Sequence, residues 1–179
     1  MRITQRTSVR ALLLADTHGV LDERIAALAR ECDIAVHAGD VGAAAVLDGL
    51  QAGGAQVFAV RGNNDVPAKW SIDERTTLAT LDAVVRVELP GGVLVGTHGD
   101  RFPPSKRHAR LRAAFPEARA ILYGHSHKLV IDDEETPWVL NPGAAGRART
   151  HGGPSCLILR ATTRAWRVEP RRFERISAR

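Results

Sequence analysis

The sequence has few cysteines, few aromatic residues and no long apolar run, and each absence argues against a class of protein. Cys32 and Cys156 lie far apart in the chain and belong to no Cys-x-x-Cys pair, which disfavours a disulfide framework and a thiolate zinc site. Apolar runs such as 11–15 extend over a handful of residues, whereas a membrane-spanning helix needs about 20. The first ten residues are polar and basic with no apolar segment behind them, so we expect no secretion signal, no membrane association and a cytoplasmic protein.

The remaining composition is that of a globular chain. Hydrophobic residues make up 44% and charged residues 25% of 179 residues, which predicts a single domain over 1–179. The net charge is +5, and segment 160–179, with seven Arg and two Glu, carries an equal excess. We interpret this segment as a solvated basic hairpin or tail. Contact with nucleic acid is the alternative, which the lack of interleaved aromatic residues disfavours.

Short apolar segments alternate with helical segments in the first half of the chain, and strands dominate the second half. This pattern predicts an α/β fold with mixed sheets, in which two sheets pack together with helices outside. A polar stretch over 71–80 has no regular pattern, and the helix over 105–115 is predicted to be capped by Ser105. The predicted strands are 8–15, 33–38, 56–60, 83–89, 93–96, 119–123, 128–132, 138–140, 156–161 and 166–169, and the other predicted helices are 22–31 and 43–50.

Polar side chains follow five of the predicted strands, each time close to a glycine. One such segment alone is weak evidence, since Gly-Asp usually marks a turn and Asp-x-His can combine a helix cap with a surface histidine. The carboxyl ends of strands in an open α/β sheet line the ligand crevice, so the ordered set of five is expected to converge there. The segments are Asp16-Thr17-His18, Gly39-Asp40, Arg61-Gly62-Asn63-Asn64-Asp65, Thr97-His98-Gly99-Asp100 and Gly124-His125-Ser126-His127.

A crevice that collects two Asp, one Asn and four His from these segments needs a cation. Crowded carboxylates repel each other, and the pKa of at least one of them would be raised. Imidazole and carboxylate together are a donor set that divalent transition metals prefer. Seven donors exceed what one ion with an open coordination position requires, and they suit two ions that share a bridging carboxylate.

The ordered set resembles the motifs of the calcineurin-like metallophosphoesterase superfamily, which run Asp-x-His, Gly-Asp, Gly-Asn-(His or Asp), Thr-His-Gly and Gly-His-x-His. The short chain, the context 60–63 and Asn141-Pro142-Gly143 are most similar to the small prokaryotic YfcE-like phosphodiesterases. The resemblance covers residues 9 to about 169. It implies a four-layer α/β/β/α sandwich of two mixed sheets.

The resemblance also implies a dinuclear centre and its ligands. Asp16, His18 and His127 would hold one ion, and Asp40 would bridge. Manganese is the expected metal, with nickel, iron or zinc as alternatives. The implied reaction is hydrolysis of a phosphodiester by a hydroxide bound between the two ions. The ligands expected at the second ion are Asn63, His98 and His125.

One position departs from the larger members of the superfamily, which carry His after the motif Asn. Here the residue is Asn64, followed by Asp65, and both are assigned catalytic roles at that position. An amide can hydrogen-bond a phosphate oxygen but cannot supply a proton to a leaving group. We therefore expect weak hydrolysis of alkyl monoesters and better hydrolysis of diesters with good leaving groups.

Arg61 and Asn141 are the candidate substrate-binding residues. Asn141, together with Arg147, flanks the Asn-Pro-Gly turn, for which a purely structural role is the alternative. Arg61 could instead pair with Asp65, and Arg101 with Asp100. Three further histidines are expected outside the metal set: His37 in the core and His108 and His151 at the surface.

Two other functions remain open at this point. A non-catalytic scaffold of the same fold would bind protein partners, but the complete set of metal ligands favours catalysis. A nuclease or nucleic-acid-binding protein would use the basic segment 160–179. We expect a small phosphodiester as substrate, and a homo-oligomer is compatible with the sequence, which identifies no interface.

Overall fold

The computed structural model describes residues 6–175, which form two five-stranded sheets and four α-helices with short connections. The elements are β1 (Ser8–Leu14), α1 (Glu23–Ala29), β2 (Ile34–His37), α2 (Ala44–Ala52), β3 (Gln56–Ala59), a 3₁₀ turn (Ile72–Glu74), α3 (Arg75–Ala79), β4 (Val84–Leu89), β5 (Gly92–Thr97), α4 (Arg107–Ala114), β6 (Ala120–Tyr123), β7 (Leu129–Asp132), β8 (Trp138–Pro142), β9 (Ser155–Thr162) and β10 (Trp166–Arg172).

Each sheet has three parallel strands, flanked by antiparallel ones. The first sheet has the order β10-β9-β1-β2-β3, in which β1, β2 and β3 are parallel. The second has the order β4-β5-β6-β8-β7, in which β5, β6 and β8 are parallel. The short central strands are apolar because both of their faces are covered.

Three apolar clusters lie between four layers, namely helices, the first sheet, the second sheet and helices. Alternate residues of β1, such as Leu13, pack with Leu122 and Leu140 between the two sheets. The other face of β1, including Leu12, packs against Ile25 of α1 and the end of α2. On the far side of the second sheet, Leu111 of α4 covers β5, β6 and β8. The predicted α/β/β/α sandwich of two mixed sheets is confirmed.

Two local predictions are wrong. The stretch 71–80 forms the 3₁₀ turn and α3, because Leu78 packs with Trp70 and Val46 in an apolar cluster beside α2. Ser105 does not cap α4, since the N-cap residue is Lys106, whose backbone is left-handed (φ 62°) and whose side chain makes no cap hydrogen bond.

The basic segment 160–179 lies largely in the β9–β10 hairpin at the edge of the first sheet. Trp166 is buried there, while Arg167 and Arg172 are exposed, as expected for a solvated hairpin. Residues 176–179 of this segment lie outside the described residues. None of the helices in 6–175 has the length and apolar character that a bilayer crossing requires.

Candidate metal centre

The five polar segments follow the carboxyl ends of β1, β2, β3, β5 and β6 and meet where the two sheets face each other. Backbone hydrogen bonds join neighbouring segments: Asp16 N donates to Gly39 O (3.0 Å), and Gly124 N donates to His98 O (3.1 Å). The bond from His125 N to Asp16 Oδ1 (3.2 Å) crosses between the sheets. The predicted convergence therefore arises from parallel strands that end at the same edge of each sheet.

Five of the seven predicted ligands have a left-handed backbone, which residues other than glycine rarely adopt. They are Asp16 (φ 55°), His18 (φ 49°), Asp40 (φ 55°), His125 (φ 65°) and His127 (φ 57°). Such a conformation costs free energy at each position and is concentrated at functional sites. Here it lets the backbone turn sharply after a strand, so that the ligand side chain points into the crevice.

Two of the motif glycines are required because metal ligands lie too close to them to leave room for a side chain. A Cβ atom on Gly62 would lie 2.2 Å from Asp40 Oδ1, and one on Gly39 would lie 2.7 Å from His98 Nδ1. Both distances are far shorter than a van der Waals contact. These glycines allow the ligand loops to pack directly on one another.

The first group of donors consists of Asp16, His18 and His127. His127 Nε2 lies 3.5 Å from Asp16 Oδ1 and 3.3 Å from His18 Nε2. One donor atom from each residue falls within 4.8 Å of the other two, which is compact enough for a single ion. These are the residues predicted for the first ion.

The second group surrounds Asn63. Its Oδ1 lies 3.0 Å from His98 Nε2 and 2.9 Å from His125 Nδ1. Asp40 lies between the groups, since its Oδ2 is 3.8 Å from His18 Nε2 and 3.5 Å from His98 Nε2. Asp16 also belongs to a compact set with Asp40 and His98, so both carboxylates adjoin the two groups.

Burial controls the protonation of the two carboxylates and of their neighbour His98. Burial raises the pKa of Asp16 to about 7, and the charge of Asp40 adds to the shift. Burial also acts to raise the pKa of Asp40, but contacts with His98 and hydrogen bonds from Asn64 outweigh it and hold that pKa well below its ordinary value. Burial acts to lower the pKa of His98, yet the adjacent Asp40 carries it above the ordinary value. Asp40 and His98 therefore each favour the charged form of the other.

The other three histidines of the crevice are neutral at neutral pH. Burial lowers the pKa of His18 and of His125, and burial together with Arg149 lowers that of His127 to about 4. A neutral imidazole keeps a nitrogen lone pair, which is the form that binds a metal ion.

Two observations show that the donor set fits a divalent cation. Asp16 Oδ2 is sealed from solvent and has no hydrogen-bond partner among the described residues, although a buried carboxylate oxygen is costly to leave unpaired. His98 Nδ1 lies 2.9 Å from the Ala38 carbonyl and donates its hydrogen there, so Nε2 is the nitrogen that faces the Asn63 and Asp40 oxygens and that can bind an ion once it has lost its proton. A cation at this place would compensate the unpaired Asp16 oxygen and replace the proton on His98 Nε2.

His37 is a core residue, as expected, and supports the centre from behind. It is fully buried, and Gly39 N donates to its Nδ1 (3.2 Å), so its Nε2 donates to Thr17 Oγ1 (2.9 Å). The Thr17 hydroxyl in turn donates to Val41 O (2.8 Å). Burial lowers the pKa of His37 to about 4. This uncharged chain of hydrogen bonds connects the loops that carry Asp16 and Asp40.

The two predicted catalytic residues have different surroundings. Asn64 holds Asp40, because its backbone N–H donates to Asp40 Oδ1 (2.8 Å) and its side-chain amide to Asp40 Oδ2 (2.7 Å). Lys69 donates to its amide oxygen. One amide hydrogen of Asn64 remains for another acceptor.

Asp65 is built into the loop as a structural residue, and the structure gives no support to a catalytic role for it. Its carboxylate is buried and accepts four hydrogen bonds, which matches its full acceptor capacity. The donors are Val41 N (3.0 Å), Gly42 N (2.9 Å), Gly62 N (2.8 Å) and Trp70 Nε1 (3.2 Å).

The two predicted substrate-binding residues also differ. The Asn141 side chain is fully buried and bonded to Gly124 O, Ser126 Oγ and Gly143 N, so it shapes the turn and has no group left for substrate. Arg61 is exposed beside Asn63, in the wall of a cavity of about 490 Å³, and pairs with no carboxylate of the described residues. Its position leaves it able to contact a substrate phosphate.

The sequence analysis did not identify Arg149, which reaches the centre. Its Nη2 lies 2.9 Å from His18 Nε2, and its left-handed backbone (φ 53°) turns the side chain inward. Arg147, the arginine predicted beside the Asn-Pro-Gly turn, and Arg149 are both exposed. The segment 147–149 places an arginine at either end, and nothing in its pattern shows which one faces the metal ligands.

Comparisons with known proteins agree with this geometry. The model of the calcineurin-like phosphoesterase superfamily domain matches residues 9–164. A predicted phosphoesterase from Streptococcus pneumoniae is 19% identical, with a TM-score of 0.67 over 96% of this chain and 95% of that one. An archaeal phosphodiesterase is 21% identical, with a TM-score of 0.66 over 90% and 99%.

A third solved structure, Vps29 from Entamoeba histolytica complexed with Zn²⁺, is 16% identical, with a TM-score of 0.68 over 91% of this chain and 98% of that one. No curated protein matches the chain. At these identities the three structures establish the fold alone, whereas the family model spans most of the sequence and includes all five polar segments. The chain belongs to the calcineurin-like phosphoesterase superfamily.

Proposed function

We propose that this protein is a metal-dependent phosphodiesterase with two divalent cations at the candidate metal centre. Asp16, His18 and His127 would hold one ion and Asn63, His98 and His125 the other, with Asp40 between them. Bound there, the ions would supply a water of lowered pKa as nucleophile and neutralise charge on the phosphate. Membership of a phosphoesterase family and an archaeal phosphodiesterase of the same fold support the proposal.

The observation that carries the proposal is the unpaired Asp16 Oδ2. A buried carboxylate whose pKa is raised to about 7 destabilises the folded chain at neutral pH unless a cation compensates it. A protein without metal gains nothing from this arrangement, nor from the left-handed backbone of five adjacent ligands. Metal binding accounts for both features together.

The residues of the chain prepare the centre before any substrate arrives. Asn64 orients both oxygens of Asp40 through two hydrogen bonds, and the Ala38 carbonyl sets the tautomer and the ring orientation of His98. Arg149 and Arg61 border the centre and are placed to bind the non-bridging oxygens of a phosphate. Their fixed charges favour the transition state, in which the phosphate oxygens carry more charge.

The lack of a proton donor at Asn64 favours diesters with good leaving groups. An alkyl leaving group departs readily only when its oxygen is protonated, and the Asn64 amide cannot titrate. No other acid among the described residues replaces it at this position: the Asp65 carboxylate is buried and accepts four hydrogen bonds. We propose a small diester as substrate.

We propose manganese as the metal. The mixed nitrogen and oxygen donor set also accepts Fe²⁺, Ni²⁺ or Zn²⁺, and availability and geometry rather than affinity select the ion in the cell. The Entamoeba Vps29 of the same fold holds Zn²⁺. Cytoplasmic location and homo-oligomerisation stay predictions.

The test compares hydrolysis of bis(p-nitrophenyl) phosphate with that of p-nitrophenyl phosphate by EDTA-treated and manganese-restored protein. Asp40→Asn removes the central carboxylate, and Asp48→Asn, an exposed position on α2, is the matched control. We expect manganese-dependent diester hydrolysis that is lost in Asp40→Asn and kept in Asp48→Asn.

Faster cleavage of an alkyl monoester such as glycerol phosphate than of bis(p-nitrophenyl) phosphate would contradict the diester preference. Stoichiometric metal binding, measured by calorimetry, with no turnover on either ester would favour a scaffold function instead.

A further inference from the structure

A second cavity, of about 410 Å³, adjoins the candidate metal centre on the side of His125 and Ser126. We call it the Arg107 cavity. The end of β6 forms one wall and the first turn of α4 forms another. Its lining residues are Pro104, Arg107, His108, Tyr123, His125, Ser126, Lys128 and Val130.

Arg107 is a buried cation with no anionic partner. The residue is only 8% exposed, and no carboxylate of residues 6–175 lies within 4 Å of its guanidinium. Its Nε donates to Phe102 O (2.8 Å), and the guanidinium carbon lies 5.7 Å from the centre of the Tyr123 ring. The Tyr123 hydroxyl is a polar neighbour of the guanidinium, whose terminal nitrogens are not sealed from solvent. A largely buried guanidinium without a carboxylate partner favours an anion from outside the chain.

The lining of the cavity adds positive charge and no carboxylate to Arg107. Lys128 lines the same cavity, is exposed and has no ion pair among the described residues. Asp132, behind His108, has both oxygens occupied, by Arg112 Nη2 and by His108 Nδ1 at 2.6 Å each, whereas Asp100 is exposed on the other side of His125 and lines the cavity beside Arg61. His108, which was expected at the surface, is half-buried, and its ring nitrogens contact Asp132 and the Tyr123 hydroxyl.

The cavity beside Arg61 offers a comparison on the other side of the centre. Its lining includes Arg61 and Arg101, but also the carboxylates Asp65 and Asp100. The Arg107 cavity has two strong cations and no carboxylate in its lining. The linings of the two cavities beside the centre therefore differ in charge, and that of the Arg107 cavity is positive.

We propose that the Arg107 cavity binds a second phosphate group of the substrate, while the phosphodiester to be cleaved lies at the metal centre. The proposal rests on the function proposed above and narrows its substrate to diesters that carry a further phosphate. A phosphate suits the cavity better than a carboxylate because its two charges match Arg107 and Lys128, and its three free oxygens can use the Ser126 hydroxyl as well.

The first experiment measures binding without turnover. EDTA-treated protein is titrated with inorganic phosphate at constant ionic strength by calorimetry, with acetate as the carboxylate probe. Arg107→Gln and Lys128→Gln remove one cation each, and Arg110→Gln on the exposed face of α4 is the matched control. We expect phosphate to bind wild type and Arg110→Gln alike, at least tenfold more weakly to Arg107→Gln and several-fold more weakly to Lys128→Gln.

The second experiment uses two esters that differ by one phosphate: thymidine 5′-(p-nitrophenyl phosphate) and its 3′-phosphorylated form. We expect the 3′-phosphate to lower KM about tenfold in wild type and Arg110→Gln, and this advantage to disappear in Arg107→Gln. Lys128 is exposed, so Lys128→Gln is expected to fold. The KM difference between the two esters in this variant tests the proposal even where Arg107→Gln folds poorly.

Equal phosphate affinity in wild type, Arg107→Gln and Lys128→Gln would overturn the proposal, and so would acetate binding as tight as phosphate binding. A 3′-phosphate without effect on KM would overturn it too. If the proposed diesterase function alone fails, bis(p-nitrophenyl) phosphate is not hydrolysed but the phosphate titration still distinguishes Arg107→Gln from wild type.

Discussion

Replacement of Gly62 by alanine is expected to disable the metal centre through one methyl group. The added Cβ would lie 2.2 Å from Asp40 Oδ1 and 2.3 Å from Asp40 N, whereas nonbonded heavy atoms settle at about 3.5–4 Å. The Gly62 loop and Asp40 must therefore separate by more than about 1 Å. The backbone of Gly62 is not left-handed, so alanine adopts it without strain and the effect is steric alone.

The expected loss of metal affinity and of rate follows from how small a displacement the metal ligands tolerate. Metal–ligand distances tolerate changes of about 0.2 Å, and a misplacement of about 1 Å near reacting groups lowers the rate by about 100-fold. Overpacking itself costs about 1–3 kcal/mol of stability, which a two-sheet core of this size tolerates. We expect Gly62→Ala to fold, to bind manganese much more weakly, and to hydrolyse bis(p-nitrophenyl) phosphate about 100-fold more slowly.

The assays are manganese titration by calorimetry, thermal unfolding in EDTA, and kcat/KM in saturating manganese. Gly49→Ala on α2 is the matched control, because its Cβ would meet no atom within 4 Å and should stabilise the helix by about 0.5–1 kcal/mol. Gly62→Ala protein with the metal affinity and rate of wild type would refute the assignment of Asp40 as a ligand held against this loop.

Three further predictions concern single side chains. In metal-free protein, the pKa of Asp16 is about 7 in the folded state against an ordinary value of 3.8, which removes stability as pH rises from about 4 to 7, by at most about 4 kcal/mol. Asp16→Asn should therefore be more stable than wild type above pH 7 in urea with EDTA, and a constant difference from pH 4 to 8 would contradict this. Arg149→Ala should raise KM for bis(p-nitrophenyl) phosphate several-fold with a smaller change in kcat, and an unchanged KM would exclude phosphate binding by Arg149. Asp65→Asn places an N–H against backbone donors and should cost about 2–4 kcal/mol in urea unfolding followed by tryptophan fluorescence; loss of kcat at full stability would instead restore a catalytic role for Asp65.

Much of the fold could be read from local pattern. The apolar runs that became β1, β2 and β6 are bounded by polar turns, and their burial on both faces makes them continuous apolar segments rather than alternating ones. The stretch 71–80 was missed because α3 is short and weakly patterned, and it is stabilised by packing of Leu78 on Trp70 rather than by its own sequence. The start of α4 was misplaced because Ser105 has the residue type of a cap but not its geometry.

The residues of the candidate site also divide into those that the sequence identifies and those that it does not. The seven predicted metal ligands could be selected from sequence, because each follows a strand end and lies near a glycine, and the ends of parallel strands meet at one edge of a sheet. They are Asp16, His18, Asp40, Asn63, His98, His125 and His127. The sequence does not show which polar residues near these ligands have a purely structural role. Asp65 and Asn141 have the residue types of functional groups, but only the packed loops show that every acceptor or donor they possess is already used.

Residue type and order along the chain are sufficient to identify the family, the strand-end motifs and the chemistry of the donor set. The distribution of charge around that set depends on tertiary contacts. Arg149 and Arg107 are two arginines among 22, and no local pattern distinguishes them from the others. Their roles depend on which side chain is turned inward and which is buried without a carboxylate, and both are properties of contacts between segments distant in the chain.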